Sequence, residues 1–237
     1  MHGSMIAPPR SAALTKEEFQ DLRVLDSGAV ANAIERFRGQ LRNDSYAETS
    51  LVCRYPQMSP VLGYAMTLKV RTTSAPAKGT FFENTDWWDE LLALPSPRIL
   101  VLQDRDRFPG GGALIGELHA CILKALDCVG VITNGAVRDV GRIEGLDFQM
   151  FSGSVSVSQA SSQLVHAGGT VQIGSLEISQ GDLIHGDNQG IVRVPHELAS
   201  RIPVTASALR RKEEEIIAFC HSTDFSVAAL RDLIAEH

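Results

Sequence analysis

The chain lacks the features that mark several large classes of protein. No stretch approaches the roughly 18 consecutive apolar residues of a membrane helix. The first thirty residues hold no signal-peptide core, so neither a span nor a leader is expected. Positive charge is in the minority, 22 Lys and Arg against 28 Asp and Glu for a net charge of -6. Phosphate backbones want a basic face, so nucleic acid is not an expected partner, although a basic protein surface stays compatible. The four cysteines, Cys53, Cys121, Cys128 and Cys220, form no CxxC pair. They read as reduced thiols of a cytosolic protein, small buried hydrophobes in the ordinary case and catalytic groups in the alternative. No HExxH or other zinc spacing is found among the histidines. What remains is a soluble composition, 44% hydrophobic and 21% charged over 237 residues, enough for one substantial core.

The stretch Pro109 to Val140 organises the rest. It reads as a glycine loop, a helix, a buried strand and a charged turn. Ile115, Leu118, Ile122, Ala125 and Val129 recur at helical spacing, predicting one apolar stripe with its N-terminus at the glycines. Val129 to Ile132 is a short apolar run suited to a sheet covered on both faces. Asn134-Gly135 predicts a turn, after which Arg138 and Asp139 stand at the C-terminal edge of a strand, where α/β sheets hold ligands.

Loop and turn offer complementary chemistry. The unpaired amides at Gly116 to His119 suit a carboxylate or phosphate, and Arg138 adds a planar fork of donors. Asp139 is a hard oxygen ligand for Mg²⁺ or Mn²⁺, and Glu117 could hold a water on that metal. Together these groups could stabilise an enolate formed from a 2-oxo acid. Each also has a plainer reading: a common Gly-rich turn, a solvated ion pair, and a carboxylate that complements a helix dipole.

Glu117, twenty intervening residues, then Arg138-Asp139 resembles the signature of the class II pyruvate aldolases that cleave 4-hydroxy-4-methyl-2-oxoglutarate. That family also contains the regulator of ribonuclease E activity A. Gly63 to Arg71, Gly130 to Val140 and Gly181 to Pro195 resemble its first core strand, its Arg-Asp turn and its late hairpin, so the likeness covers roughly residues 20 to 220. The resemblance implies that Gly116, Glu117, Leu118 and His119 bind the substrate carboxylate, Arg138 the 2-oxo oxygen, and Asp139 the metal. It further implies an acidic residue from a neighbouring subunit's C-terminal region, for which Glu213, Glu214 and Glu215 stay unassigned. One departure stands out, because the matched aldolases carry Asp where this chain has Glu117.

Elsewhere, Thr15 and Glu18 form a capping box that opens a helix burying Phe19, Leu22 and Leu25, and Asp26-Ser27 can cap a second with Val30, Ile34 and Phe37 inward. Arg36, Arg38 and Arg42 read as a solvated face, or an anion site. Residues 1–14 read as a disordered or tag-derived tail, and Asn43 to Pro60 as a loop. Tyr64, Met66, Leu68 and Val70 alternate with Ala65, Thr67, Lys69 and Arg71 as in a half-exposed strand. Thr80 to Leu94 reads as a helix burying one tryptophan, with the pair Trp87-Trp88 alternatively lining a pocket or subunit contact. Arg98 to Gln103 is a buried strand. After it Arg105 and Arg107 are candidates for a substrate's far carboxylate, or partners of Asp104 and Asp106. Gly141 to Leu146 reads as a short helical turn, Phe148 to Phe151 as a strand, and Ser152 to Ser162 as an edge or irregular strand. Gly168-Gly169, Gly174, Gly181 and Gly190 punctuate an antiparallel layer. In that layer His185 and Asp187 could share a cation but more simply hydrogen-bond. Pro195 ends the sheet, His196 to Arg201 reads as a short helix broken by Pro203, and Val204 to Cys220 as a longer one with Leu209, Ile216 and Ile217 inward. Asp224 to His237 is a last helix for oligomer contacts.

These readings predict one α/β domain over residues 15–237, with a mixed central sheet, flanking helices and helical arms at both ends. Resemblance adds a swivelling β/β/α layout and a homotrimer or dimer of trimers. The expected function is a cytoplasmic divalent-metal-dependent lyase acting on a small 2-oxo acid through a pyruvate enolate, as retro-aldolase, oxaloacetate decarboxylase or both. A non-catalytic regulator of a ribonuclease is the alternative. Methyl transfer to a quinone is a third, with only Gly110 to Gly112 as a cue.

Overall fold

A computed structural model describes residues 14–38, 50–73 and 79–236. Residues 1–13 of the expected tail, residues 43–49 of the expected loop at 43–60, and Arg42 lie outside them, as does the Arg38 side chain. Two helices open the described chain, α1 (Lys16–Arg23) and α2 (Ser27–Arg38), followed by β1 (Val52–Cys53), β2 (Val61–Arg71), α3 (Trp87–Leu92), β3 (Arg98–Asp104) and β4 (Ala113–Ile115). Then come α4 (Glu117–Ala125), β5 (Cys128–Val137), α5 (Val140–Ile143) with a 3-10 turn (Glu144–Leu146), and β6 (Gln149–Val155). The last third holds β7 (Gln163–Ala167), β8 (Thr170–Ile173), β9 (Leu176–Ser179), β10 (Leu183–Asp187), β11 (Gly190–Val194), α6 (Ile202–Cys220) and α7 (Val227–Glu236).

The main sheet runs β1-β6-β5-β3-β2-β10-β11, with β4 beside β5 and β7 beside β2. Its centre is parallel, through β2/β3, β3/β5, β4/β5 and β5/β6. Its flanks are antiparallel. The hairpin β8–β9 forms a second, two-stranded sheet. Three layers result. Val171, Ile173, Leu176 and Ile178 of the hairpin pack on Ala65, Val101 and Ile132. On the other face, Met66, Leu100 and Val131 meet Leu91 of α3 and Leu123 of α4. Leu62 and Tyr64 meet Leu22, Ile34 and Ile202 of the outer helices. This is the expected mixed α/β fold in β/β/α layering.

Covering both faces explains a difference from the sequence reading. The alternation along β2 suggests a half-exposed strand, yet Val61 to Leu68 is buried throughout. Small or weakly polar residues at the alternate positions, Ala65 and Thr67, fit under the hairpin, and Thr67 donates its hydroxyl to the Gly169 carbonyl at 2.8 Å.

The capping box forms as predicted, with Thr15 and Glu18 satisfying each other's backbone amides. In α4 the buried residues are Ala120 and Leu123, while Leu118 is 70% exposed. The predicted stripe fails because Ile115 belongs to β4 and Val129 to β5. Cys128 likewise opens β5, where burial pushes its thiol up to about 12; Cys121 and Cys220 are exposed. Asn134-Gly135 makes no turn. The Asn134 amide bonds both backbone groups of Asp104, at 2.7 and 3.0 Å, and carries β5 past the end of the β3 ladder. Pro203 stands in the first turn of α6 rather than breaking it, and 196–201 is a series of turns. Only Ile202 and Ala206 of α6 are buried. Of the residues expected inward, Leu209 and Ile216 are half-buried, and Ile217 is 47% exposed.

His185 and Asp187 tie the N-terminal helices to β10. Asp187 accepts the Ser27 amide at 2.7 Å, and the fully buried His185 bridges the Ser27 hydroxyl and the Leu25 carbonyl, each at 3.0 Å. Burial lowers the His185 pKa, against an opposing pull from Asp187. The neutral imidazole is therefore the native form. Above the ordinary histidine pKa of about 6.5 its contribution is fully present. As pH falls below that value the unfolded chain takes up the proton first, so stability drops until the folded imidazole titrates. Urea unfolding between pH 8 and pH 5 is expected to show this decline, and it should be shallower in His185→Gln.

Candidate functional site

Two strand ends bring the charged residues together. β4 runs parallel to β5, pairing Ala113 with Ala136 and Ile115 with Val137, and the Arg138 amide continues the ladder onto the Ile115 carbonyl at 2.9 Å. The chain leaving β4 enters α4 at Glu117, while the chain leaving β5 delivers Arg138 and Asp139 to the same edge. Asp139 adopts the left-handed conformation, φ 57°, and α5 follows it.

The contacts converge on Asp139. Its Oδ2 accepts the Glu117 amide at 3.1 Å, in the first turn of α4, and lies 3.4 Å from Arg138 Nε. A helix N-terminus favours negative charge there. Gly116 makes the approach possible. Its backbone is extended, so conformation does not demand glycine, but a Cβ would lie 2.6 Å from Asp139 Oδ2 and 2.9 Å from Arg138 Nε. About one third of each side chain, Arg138 and Asp139, stays open to solvent.

The expected carboxylate-binding loop is only partly free. Glu117 N–H is taken by Asp139, and Gly116 N–H points to His119 Nδ1 at 3.4 Å. Among the described residues the Leu118 and His119 amides have no protein acceptor. His119 stacks on Phe82, with ring centroids 4.2 Å apart. Burial, then the charge of Arg138, lowers its pKa. Trp87 is buried and donates to the Phe81 carbonyl at 2.9 Å, so the aromatic segment backs the helix terminus through Phe82.

Two residues in this cluster escape sequence reasoning. Arg142 Nη1 lies 3.2 Å from Glu117 Oε2, both exposed. Arg138 Nη2 donates to Gln159 Oε1 at 3.2 Å. Arg142 carries a faint signal, a basic residue in the turn after Arg-Asp. Gln159 carries none, because it arrives through long-range pairing. Arg105 and Arg107 are exposed, and Arg107 lies over the Phe108 ring. Their suggested partners are engaged elsewhere: Asp104 accepts the amides of Gly110 and Asp106, and Asp106 those of Thr72 and Thr73.

Among the described residues no group of three or more His, Cys, Asp or Glu side chains could enclose a metal ion. His185 and Asp187 lie in β10, beyond β3 and β2 from β5. The donors at Asp139 and Glu117 are hard oxygens in a partly open setting. That set suits a cation that keeps several waters, as Mg²⁺ does, and not a caged zinc.

A family model described as RraA-like, Aldolase/RraA, matches residues 27–193. The chain belongs to the RraA-like family. This RraA-like chain is 23% identical over 141 residues to protein DlpA of Legionella pneumophila, a stretch that is 59% of this chain and 22% of that relative. It thus spans about a fifth of DlpA. Solved structures share the fold, among them two that align over most of this chain. An uncharacterized protein from Pseudomonas syringae pv. tomato aligns over 99% of this chain and 100% of its own, at 20% identity and a TM-score of 0.75. Streptomyces coelicolor RraAS2, described as an unusual member of the RNase ES inhibitor RraA family, aligns over 86% and 96%, at 21% and 0.64. No helix among the described residues of the RraA-like chain is long and apolar enough to cross a membrane.

The close packing over Gly116 yields a paired prediction. Gly116→Ala is expected to destabilise the fold by about 1–3 kcal/mol through overpacking. Gly141→Ala, where a Cβ meets nothing within 4 Å, should leave thermal melting unchanged or slightly raised. Equal melting temperatures for the two would contradict the geometry.

Proposed function

We propose that the chain is a divalent-metal-dependent carbon–carbon lyase acting on a small 2-oxo acid. One observation carries this reading: the Asp139 carboxylate, one third exposed, is held between a helix N-terminus and the Arg138 guanidinium. Asp139 would hold Mg²⁺ or Mn²⁺, which when bound supplies Lewis-acid charge for the oxygens of a 2-oxo carboxylate.

The chain's own groups account for the remaining tasks. The Leu118 and His119 amides, at the positive end of α4, receive the substrate carboxylate. Arg138 donates to the 2-oxo oxygen and stabilises the negative charge that grows there. The bond from C3 to the departing fragment breaks, and its electron pair moves toward the carbonyl, leaving the pyruvate enolate. In a retro-aldol step a base must also remove the C4 hydroxyl proton; in decarboxylation the fragment departs as CO₂. Protonation at C3 then gives pyruvate. Glu117, in the first turn of α4, is the carboxylate beside Asp139 assigned to move these protons. Its side chain is one methylene longer than the Asp of the matched aldolases and pairs with Arg142 at 3.2 Å.

Family membership supports the reading without deciding it, because the family spans aldolases and ribonuclease inhibitors. The exposed apolar side chains of the C-terminal arm, among them Ile217, Phe225 and Ile234, support assembly of several copies, with the homotrimer of the aldolases as the leading form.

The test is pyruvate release from oxaloacetate and from 4-hydroxy-4-methyl-2-oxoglutarate, with Mg²⁺, with Mn²⁺ and with chelator. Turnover should require metal. Asp139→Ala should lower it by more than the roughly 10- to 100-fold typical of losing a partner of a metal ligand. No turnover on either substrate, with metal bound, would favour the regulatory reading.

A further inference from the structure

Arg138 is the cation on which the proposed chemistry turns, and its guanidinium is held at two points. Nε faces Asp139, at 3.4 Å, and Nη2 donates to Gln159 Oε1 at 3.2 Å. Among the described residues Nη1 has no protein partner, which leaves that nitrogen for a ligand. A flexible arginine that must present one nitrogen to a developing charge gains from having the others fixed beforehand.

The backbone around Gln159 is unusually well pinned for an exposed loop. After β6 the chain crosses the end of β5, where Ser156 N–H donates to the Val137 carbonyl at 3.0 Å. It then pairs with β4: Ala113 N–H donates to Ser158 O at 2.7 Å, and Ala160 N–H to Ala113 O at 2.9 Å, with Gln159 opposite Ala113 in a parallel bridge. Gly112 permits this approach, since a Cβ there would come within 2.9 Å of Ala160 Cα. The third glycine of the Gly110 to Gly112 run therefore serves a close backbone contact, and that contact delivers Gln159 to Arg138.

We infer that Gln159 is a positioning residue, which orients the Arg138 guanidinium toward the 2-oxo oxygen through its side-chain carbonyl. The inference rests on the lyase reading of the site. It acts through Arg138 alone, so its energetic effect should vanish when Arg138 is absent.

The experiment is calorimetric binding of oxalate, a mimic of the pyruvate enolate, to the full chain loaded with Mn²⁺, in a double-mutant cycle of Gln159→Ala and Arg138→Ala. Mn²⁺ affinity and thermal melting are measured for each variant. Gln159→Ala should weaken oxalate about tenfold, as loss of a hydrogen bond to a charged group does, with Mn²⁺ affinity and melting unchanged. In the Arg138→Ala background it should cause no further loss. Native-like oxalate binding in Gln159→Ala, an equal loss in both backgrounds, or a parallel fall in Mn²⁺ affinity and melting would each overturn the inference. If the native chain binds Mn²⁺ but not oxalate, the 2-oxo acid reading itself fails and takes this inference with it.

Discussion

The approach of the Asp139 carboxylate to the first turn of α4, across the bare Cα of Gly116, is the contact on which the site depends. It joins the ends of two parallel strands that are separated by a helix in sequence. It needs a glycine on one side and a left-handed aspartate on the other. The carboxylate gains a backbone donor and a guanidinium neighbour while keeping a solvent-facing side. A fully buried carboxylate would incur a desolvation cost that one partner seldom offsets; a fully exposed one would lack a fixed direction. The observed setting lies between these limits, where a ligand can be both oriented and exchanged.

The three layers explain why this contact can be rigid. β5 lies between β3 and β6 in the middle of the parallel region, with the hairpin β8–β9 on one face and α4 on the other. Close-packed interiors transmit strain with little give. The charged edge is therefore mounted on a stiff support, while Glu117 and Arg138 reach outward to Arg142 and Gln159, exposed side chains that can be altered with little effect on the fold.

Much of this was legible in the residues. The Glu117 to Arg138-Asp139 spacing located the cluster, the capping box placed α1, and the glycines marked the late hairpins. The failures have physical causes. Helical periodicity runs across a strand–helix–strand boundary, so the stripe from Ile115 to Val129 mixes three elements. Asn134-Gly135 has turn chemistry, but the Asn134 amide found the backbone of Asp104 and used it as a substitute ladder. The alternation along β2 concealed a second covering layer, because small residues bury as readily as large ones when a hairpin lies over them. Gln159 had no local signal at all, since only the pairing of residues 158–160 with β4 brings it to Arg138.

In the proposed chemistry this edge stabilises the enolate of pyruvate. The direct measurement is exchange of the pyruvate methyl protons in D₂O, followed by proton NMR, with the native chain and Mg²⁺, with chelator, and with Arg138→Ala. It requires no knowledge of the natural substrate. Metal-dependent loss of the methyl signal is expected, well above the uncatalysed rate and abolished in the variant. Exchange at the background rate, under conditions where Mn²⁺ binding to the chain is demonstrated, would contradict the proposed chemistry.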